Sequence, residues 1–235
     1  MARTVLFVMT GSNHWTLKDG TKHTTGFWAE EAAAPLEIFK EAGFAVTVAT
    51  PGGVRPPVDE GSLTPDSAGS EDAAAHFREV VENSPEFQNP IALSDVKVDD
   101  YDAVFVPGGH GPMEDLAVDK DAGTILTAVN TAKLPLGIVC HGPAILLAAV
   151  DANGQSIFAG QTVTAFTNAE EQQAGLADQA PWLLQDRLTD AGLKVIAGEP
   201  WAPHVETDGT LVTGQNPASS TPLAKAIVEC LGKAN

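Results

Sequence analysis

The residues best suited to chemistry lie in a short run that joins an apolar stretch to a predicted helix. The stretch 136–140 is almost continuously apolar and ends in Cys140, which His141 and Gly142 follow. A cysteine on such a turn has the context of a nucleophile elbow, and small residues permit the tight turn. The positive end of the helix predicted over 141–150 favours a thiolate, the reactive form of cysteine. The sequence therefore predicts that Cys140 is a nucleophile whose thiolate is easily formed.

A second glycine-rich turn closes the apolar run 103–107, and the chain reads Pro-Gly-Gly-His-Gly over 107–111. Adjacent glycines let backbone N–H groups converge on one point, which is how an oxyanion is held. The same pattern also suits a turn that needs left-handed dihedral angles and binds nothing. Because this turn lies one strand before Cys140, we expect Gly109 and His110 to form a wall of the same site.

Two adjacent carboxylates, Glu30 and Glu31, lie in the first turns of a helix predicted over 27–43. Helical spacing puts Glu31, but not Glu30, on the face that carries Phe27 and Pro35, and this face is expected to pack inward. Burial raises the pKa of a carboxyl group and suits it to proton transfer near neutral pH. Glu31 is therefore a candidate acid or base.

The order of apolar and amphipathic segments indicates the fold class. Predicted helices separate most of the predicted strands, which indicates βαβ units and a mostly parallel sheet covered by helices on both faces. Functional sites of such open α/β sheets lie at the carboxyl ends of the strands. The predicted strands are 4–9, 44–49, 103–107, 136–140, 162–166, 193–197 and 211–213, and the predicted helices are 27–43, 119–132, 141–150, 182–191 and 219–231.

Length and composition bound the organisation of the chain. Its 235 residues suit one domain over 1–235, with an insertion at about 51–100 that is part loop and part helix around 73–81. The formal net charge of −18 makes nucleic acid and anionic membranes poor partners. No apolar run reaches the roughly 18 residues of a membrane span, and the first residues do not read as a secretory signal, so we expect a cytoplasmic protein.

The two cysteines cannot form a disulfide framework, and neither belongs to a zinc-type Cys-x-x-Cys pair. Cys230 lies in the last amphipathic segment, and we interpret it as structural. No Gly-x-Gly-x-x-Gly follows a predicted strand and no His-x-x-x-His pair occurs, so we expect neither a nucleotide cofactor nor a metal.

Five features in order resemble the ThiJ/PfpI superfamily. They are Glu31 after the first strand, the turn 107–111, the elbow 140–144, and two later regions. The later regions, 165–187 and 208–219, resemble the branch of glutathione-independent glyoxalases (glyoxalase III) and heat-shock chaperones, also called D-lactate dehydratases. The resemblance spans nearly the whole chain. It implies a flavodoxin-like three-layer α/β fold related to class I glutamine amidotransferases.

The resemblance also implies roles for the residues of the elbow. Cys140 matches the nucleophile and His141 matches the histidine of the catalytic pair. The acid of the triad in this branch lies five residues after the phenylalanine of the next strand. Counted from Phe166, that acid is Glu171, and the doubled acid leaves Glu170 as an open alternative.

Three further positions match residues around the reactive thiol in the resembled family. Glu31 matches a glutamate that contacts the thiol, and Gly109 and His110 match the turn that flanks it. The backbone N–H of His141 is then expected to help hold an oxyanion. The resemblance implies no cofactor for the reaction, and relatives often form homodimers.

The activity implied by the resemblance is conversion of methylglyoxal, a small 2-oxoaldehyde, to lactate without glutathione. The thiol of Cys140 is expected to form a hemithioacetal with the aldehyde, and Glu31 or His141 then moves a proton from C1 to C2. Three other functions remain open from the sequence. One is a stress-response chaperone that holds unfolded proteins, and another is a cysteine peptidase or amidase of the same superfamily. The third is a redox sensor, for which no second cysteine lies near Cys140 in the sequence as a resolving partner.

Overall fold

Most of the apolar runs form strands in the computed structural model, which describes residues 3–232. The first, third and fourth predicted runs are buried on both faces, as the central strands of a parallel sheet must be. The strands are β1 (Thr4–Val8), β2 (His14–Thr16), β3 (Lys22–Thr24), β4 (Ala45–Thr50), β5 (Ile91–Ala92), β6 (Ala103–Val106), β7 (Leu136–Val139), β8 (Thr162–Val163), β9 (Lys194–Val195), β10 (Val205–Asp208) and β11 (Leu211–Gly214).

The helices begin and end where local sequence signals favour it. Asp119, for example, accepts a hydrogen bond from the N–H of Ala122 and so caps the helix that begins at Lys120. Gly43, with φ +83°, follows the end of the first helix. The α-helices are α1 (Ala29–Glu41), α2 (Pro65–Ala68), α3 (Glu71–Asn83), α4 (Pro85–Gln88), α5 (Gly111–Glu114), α6 (Lys120–Ala132), α7 (Asn168–Ala174), α8 (Leu184–Asp190) and α9 (Ser220–Gly232). Short 3₁₀ helices are Pro51–Gly53, Glu60–Leu63, Leu93–Asp95, Val98–Asp100, Gly142–Ala148 and Pro217–Ser219.

Seven strands form one sheet in the order β10-β11-β7-β6-β1-β4-β5. Each neighbouring pair in this sheet runs parallel except β10 and β11, which form an antiparallel hairpin at one edge. Alternate residues of β1 face opposite layers, since Val5 and Phe7 pack with α1 and α9 whereas Leu6 and Val8 pack with α6. The predicted α/β fold with helices on both faces is confirmed. Because β1, β6, β7 and β11 are parallel, their carboxyl ends lie together on one side of the sheet.

Five of the seven predicted strands lie in this sheet. The other two lie outside it and are much shorter than predicted. The runs 162–166 and 193–197 form only β8 and β9, which pair with each other outside the main sheet. The chain leaves β8 because Phe166 donates its backbone N–H to the carbonyl of Cys140 at 2.9 Å. The end of the run 162–166 therefore lies beside Cys140, the predicted nucleophile.

Two predicted helices differ from the structure at the positions that matter for the site. The helix predicted over 27–43 begins only at Ala29, because Phe27 is extended and forms a bridge with Val58. The segment 141–150 is helical as predicted only in part, because it forms the shorter 3₁₀ helix Gly142–Ala148 and not an α-helix. Its apolar residues show no helical period from which the type could be read.

The region 51–100 contains the short helices α2 and α4, the longer helix α3 and the edge strand β5. α3 includes the predicted amphipathic piece 73–81, so the expected mixture of loop and helix is confirmed. That the whole chain is one domain with this region inserted remains a prediction. Within residues 3–232, no helix has both the length and the hydrophobicity that crossing a bilayer requires.

Candidate active site

Cys140 lies directly after β7 in a strained backbone conformation. Its φ is +60°, a left-handed value that residues other than glycine rarely adopt. Two backbone hydrogen bonds hold it there, because its N–H donates to Gly214 at 2.9 Å and its carbonyl accepts from Phe166 at 2.9 Å. The strand, the turn and the returning chain thus fix the direction of the thiol.

Cys140, His141 and Glu171 are connected in the order of a catalytic triad. The Sγ atom of Cys140 lies 3.3 Å from Nδ1 of His141, and Nε2 of His141 lies 2.7 Å from Oε2 of Glu171. Burial, helped by the nearby His110, lowers the pKa of His141 to about 4. His141 is therefore neutral near pH 7.

The charge on Glu171 decides which nitrogen of His141 carries the proton. Burial alone would raise the pKa of Glu171, but the two histidines that it contacts hold this pKa far below its ordinary value. The ionised carboxylate accepts the Nε2 proton of His141, so Nδ1 is left as an acceptor that faces the thiol of Cys140. This arrangement lets His141 take the thiol proton.

The neighbouring carboxylate, Glu170, has a different role. It caps α7 through a reciprocal hydrogen-bond pair with Thr167, and its Oε1 accepts hydrogen bonds from the backbone of Trp201 at 2.9 Å and from Asn216 at 2.9 Å. These contacts hold three chain segments together. Of the two acids between which the sequence left a choice, Glu171 contacts His141 and Glu170 is structural.

Glu171→Gln is expected to lower kcat by about 100-fold, because a neutral amide no longer fixes the protonated nitrogen of His141. Glu170→Gln is the matched control, and steady-state kinetics on both variants checks the difference. We expect the control to lower the free energy of unfolding by about 1–3 kcal/mol, through its buried hydrogen bonds, with kcat within a few-fold of wild type. A larger kcat effect from Glu170→Gln than from Glu171→Gln would reverse the assignment.

Glu31 is fully buried beside the thiol, on the face of α1 that the helical period predicts. Its Oε2 accepts the N–H of Gly108 at 2.7 Å, its Oε1 has no hydrogen-bond partner among the described residues, and the neighbouring thiol of Cys140 affects its pKa. Burial raises the pKa of Glu31 to about 8, so this group is mainly protonated near pH 7.

The predicted ease of thiolate formation at Cys140 is wrong for the resting protein. Burial and the adjacent Glu31 raise the pKa of the thiol well above its ordinary value. The backbone N–H of Gly109 lowers the pKa of the thiol, but its effect is smaller. The short 3₁₀ helix offers too little dipole to reverse these effects. The thiol must therefore lose its proton to a neighbour as it reacts.

Glu31→Gln is expected to stabilise the fold at alkaline pH. A carboxyl group with a pKa of about 8 when folded, against 4.5 ordinarily, favours folding fully below the lower value and loses this contribution as the pH rises towards 8. The variant has no ionisable group here, so its free energy of unfolding should exceed that of wild type by about 1–3 kcal/mol near pH 8. Urea unfolding at about pH 5 and pH 8 checks the trend, and a difference that shrinks with rising pH would contradict it.

The glycine-rich turn after β6 is shaped by close backbone contact with the elbow. A Cβ atom on Gly108 would lie 2.7 Å from both the nitrogen of His141 and the carbonyl oxygen of Val139. Gly109 has φ +84°, and a Cβ there would lie 2.4 Å from the carbonyl of Gly26. Only glycine at these two positions therefore lets the turn pack this closely against the backbone of the elbow and of Gly26.

The fourth residue of the turn 107–111, His110, contacts Glu171 instead of the thiol. Its Nε2 lies 2.9 Å from Oε1 of Glu171, so two histidines share one carboxylate. Trp15 stacks on His110 with ring centroids 5.0 Å apart, and His23 meets the same ring edge-on at 6.1 Å.

The hairpin that carries Trp15 and His23 was not predicted from the sequence. β2 and β3 pair antiparallel, with Trp15 opposite His23 in the register. The signal that could have found it is the Asp19-Gly20 pair between two short runs, a pair that is typical of tight hairpin turns. The hairpin adds an aromatic and a titratable side chain to the surroundings of the site.

A metal could in geometric terms bind beside the thiol. Among the described residues, ligand atoms of His110, His141 and Glu171 all lie within 4.8 Å of one another. The hydrogen bonds from the two histidines to Glu171 already account for this spacing. Cys230, the second cysteine, is half-buried in α9 and stands apart from this group.

Comparisons with known proteins identify the family of the chain. The model of the DJ-1/PfpI family matches residues 23–230. Glyoxalase 3 of Candida albicans is 31% identical over 230 residues, covering 95% of this chain and 96% of its own length. Glutathione-independent glyoxalase HSP31 of Saccharomyces cerevisiae is 30% identical, with 97% of each chain covered. The crystal structure of glyoxalase III from Candida albicans gives a TM-score of 0.83 at 30% identity, covering 97% of this chain and 96% of that one. These matches confirm the resemblance seen in the sequence, and the chain belongs to the DJ-1/PfpI family.

Proposed function

We propose that the protein is a glutathione-independent glyoxalase that converts methylglyoxal to lactate, a D-lactate dehydratase-type lyase. The observation that carries the proposal is a thiol with two proton carriers as neighbours, His141 at 3.3 Å and the protonated Glu31, which helps to raise the pKa of the thiol. One group can accept the thiol proton while the other supplies a proton to the substrate. The relatives named as glyoxalases support the choice of substrate.

The first step forms a carbon–sulfur bond. Nδ1 of His141 takes the thiol proton as the sulfur of Cys140 attacks the aldehyde carbon C1, and Glu31 gives its proton to the aldehyde oxygen. The N–H of Gly109, which lowers the pKa of the thiol in the resting state, is the group that we expect to help hold the developing oxyanion. The product is a hemithioacetal, with His141 protonated and Glu31 ionised.

The second step moves hydrogen from C1 to C2. The carboxylate of Glu31 removes the C1 proton while His141 protonates the oxygen on C2, which gives an enediol. Glu31 then returns its proton to C2, and His141 takes the proton of the C1 hydroxyl, which leaves a thioester of lactate on Cys140. A carboxyl group with a pKa of about 8 is a stronger base than an imidazole with a pKa of about 4, so Glu31 is the better acceptor for a carbon-bound proton.

The last step releases the product. Glu31 takes a proton from water as the water oxygen attacks the thioester, and His141 gives its proton to the departing sulfur. Lactic acid leaves, and the thiol, the neutral imidazole and the protonated carboxyl group are restored. The balance is one methylglyoxal plus one water to one lactic acid, so these steps need no external oxidant or reductant.

The burial of the site supports a small substrate. Cys140 is 3% exposed, which suits an aldehyde of a few atoms better than the extended chain that a peptidase must bind. A holding chaperone needs a continuous exposed apolar surface, and Trp15, one of the four tryptophans of the chain, is buried. We place the reaction in the cytoplasm, where a reducing environment keeps Cys140 as a thiol.

The pH profile of kcat/KM should follow the two proton carriers. Step one needs neutral His141 and protonated Glu31, so activity should be flat between their pKa values of about 4 and about 8. It should fall tenfold per pH unit above the upper value, because ionised Glu31 cannot protonate the aldehyde oxygen. Initial rates across this range check the profile, and activity that rises through pH 8 would mean that Glu31 acts first as a base.

The experiment that tests the proposal is direct product analysis. Purified protein is mixed with methylglyoxal in the absence of glutathione, and D- and L-lactate are measured with stereospecific assays. We expect stoichiometric lactate formation with one enantiomer in large excess. Consumption of methylglyoxal without lactate, or lactate formation that requires glutathione, would refute the proposal.

A further inference from the structure

His110 lies in the glycine-rich turn after β6 and holds one of the two oxygens of Glu171. Its Nε2 atom lies 2.9 Å from Oε1 of Glu171, and Nε2 of His141 lies 2.7 Å from the other oxygen, Oε2. The side chains of His110, Glu171 and His141 are 11%, 4% and 3% exposed, so water contributes little to holding the carboxylate. Each oxygen of Glu171 is therefore held by its own histidine.

The ring of His110 is itself held by packing. Trp15, which is buried, stacks on it with the ring planes 18° apart and the centroids 5.0 Å apart. The ring of His141 lies against it at 4.0 Å, centroid to centroid. Its backbone is fixed as well, because the carbonyl of His110 accepts the N–H of Met113 at 3.0 Å. The N–H group that faces Glu171 is therefore preorganised by a supporting layer of residues.

The contact between His110 and Glu171 has a defined direction. An ionised carboxylate can only accept hydrogen bonds, so Nε2 of His110 must carry the proton and donate it. Without this donor, Oε1 of Glu171 would lie buried without a partner, and one bond to His141 would be left to fix the rotation of the carboxyl group. Burial acts to raise the pKa of Glu171, and His141 and the hydrogen bond from His110 act to lower it. Loss of His110 would therefore weaken the orientation of this carboxylate and its preference for the ionised form.

We propose that His110 is a positioning residue that holds the carboxylate of Glu171 in the orientation in which it accepts the Nε2 proton of His141. The inference rests on the proposed function, since it gives His110 a part in the same reaction. With the proton on Nε2, the other nitrogen of His141, Nδ1, faces the thiol of Cys140 at 3.3 Å and can take its proton. His110 thus acts on the thiol through two other side chains.

The test compares His110→Leu with His110→Gln in steady-state kinetics with methylglyoxal. Leucine keeps an apolar contact for Trp15 but has no donor, whereas the amide N–H of glutamine can reach Oε1 of Glu171 from nearly the position of Nε2. We expect His110→Leu to lower kcat about tenfold with KM within about twofold of wild type, and His110→Gln to restore kcat to within about threefold. A raised KM with unchanged kcat, or equal losses in both variants, would overturn the inference.

His23→Leu is the control for packing around His110. His23 meets the ring of His110 edge-on, with centroids 6.1 Å apart, but does not hold the carboxylate of Glu171. We expect kcat within about twofold of wild type for this control. The midpoint of thermal unfolding shows which variants are folded. A loss equal to that of His110→Leu would show that ring packing matters, and not the hydrogen bond.

A double variant tests whether His110 acts through Glu171. Two residues that act through one contact do not have additive effects. Adding His110→Leu to Glu171→Gln should therefore leave kcat within about twofold of Glu171→Gln alone. Losses that multiply would give His110 a separate role and overturn the inference.

Nitrogen NMR of His141 tests the inference without any turnover. The signals are assigned by their loss in His141→Gln, and they show which ring nitrogen carries the proton near neutral pH. We expect the proton on Nε2 in the wild type and in His110→Gln, and a mixture with the Nδ1-protonated form in His110→Leu. An unchanged Nε2-protonated form in folded His110→Leu would overturn the inference. The expected change in a protein that forms no lactate would contradict only the proposed function.

Discussion

Cys140→Ala is expected to lower kcat/KM for methylglyoxal by about 10⁴-fold or more. The variant keeps His141 and Glu31 but has no atom that can bond to C1, so the whole covalent route is lost. Uncatalysed hydration and general acid–base assistance cannot replace an attached thioester. Lactate production by the purified variant, measured over hours, gives the residual rate.

The control for this change is Cys230→Ala, which removes the other thiol. Cys230 is half-buried in α9, away from the sheet edge that carries the site, so its loss should leave kcat/KM within twofold of wild type. The midpoint of thermal unfolding shows whether Cys140→Ala is folded. A folded Cys140→Ala protein with undiminished turnover would remove the nucleophile from the mechanism.

Glu31→Gln is expected to lower kcat by about 10³-fold with little change in KM. The amide oxygen can still accept the N–H of Gly108, which lies 2.7 Å from Oε2 in the wild type, and the side chain keeps its volume. It cannot carry a proton from C1 to C2, however. In this variant His141 must pass the thiol proton to the aldehyde oxygen itself, so the hemithioacetal should form more slowly than in the wild type but still accumulate, because no group removes the C1 proton.

Glu30→Gln is the matched control for this second change. Glu30 precedes Glu31 in α1 and its pKa is also raised by burial, to about 7, but Glu31 is the carboxyl group in contact with the thiol. We expect kcat within about threefold of wild type for this control. A comparable loss of kcat in both variants would indicate that removing either negative charge from α1 slows the reaction, and that Glu31 is not a specific proton carrier.

Much of the framework could be predicted because it depends on local patterns. Local sequence marks the carboxyl ends of two strands of the parallel sheet. One is the apolar run that ends at Cys140 and is followed by small residues, and the other is the run that ends in the glycine-rich turn 107–111. The period of α1 placed Glu31 inward, and its burial raises its pKa as expected. Chain spacing within the resembled family led to Glu171, which bonds to His141 in the structure.

The electrostatics of the site and the contacts of His110 could not be predicted, because they depend on residues that are far apart in the sequence and adjacent in the fold. The pKa of Cys140 depends on Glu31, more than a hundred residues earlier in the chain, and on burial that no local pattern shows. The same holds for His110, whose bond to Glu171 joins two separate turns, and for the stacking of Trp15 upon it. Short strands such as β2 and β3 give too little periodicity to be recognised.

The central claim is that the sulfur of Cys140 bonds to the substrate. Mass spectrometry of Glu31→Gln mixed with methylglyoxal tests it most directly, because the slowed proton transfer should trap the adduct. We predict a mass increase of one methylglyoxal on the peptide that contains Cys140, and its absence when Cys140→Ala is added to the same chain. Continued lactate formation with no adduct on this peptide would contradict covalent catalysis by Cys140.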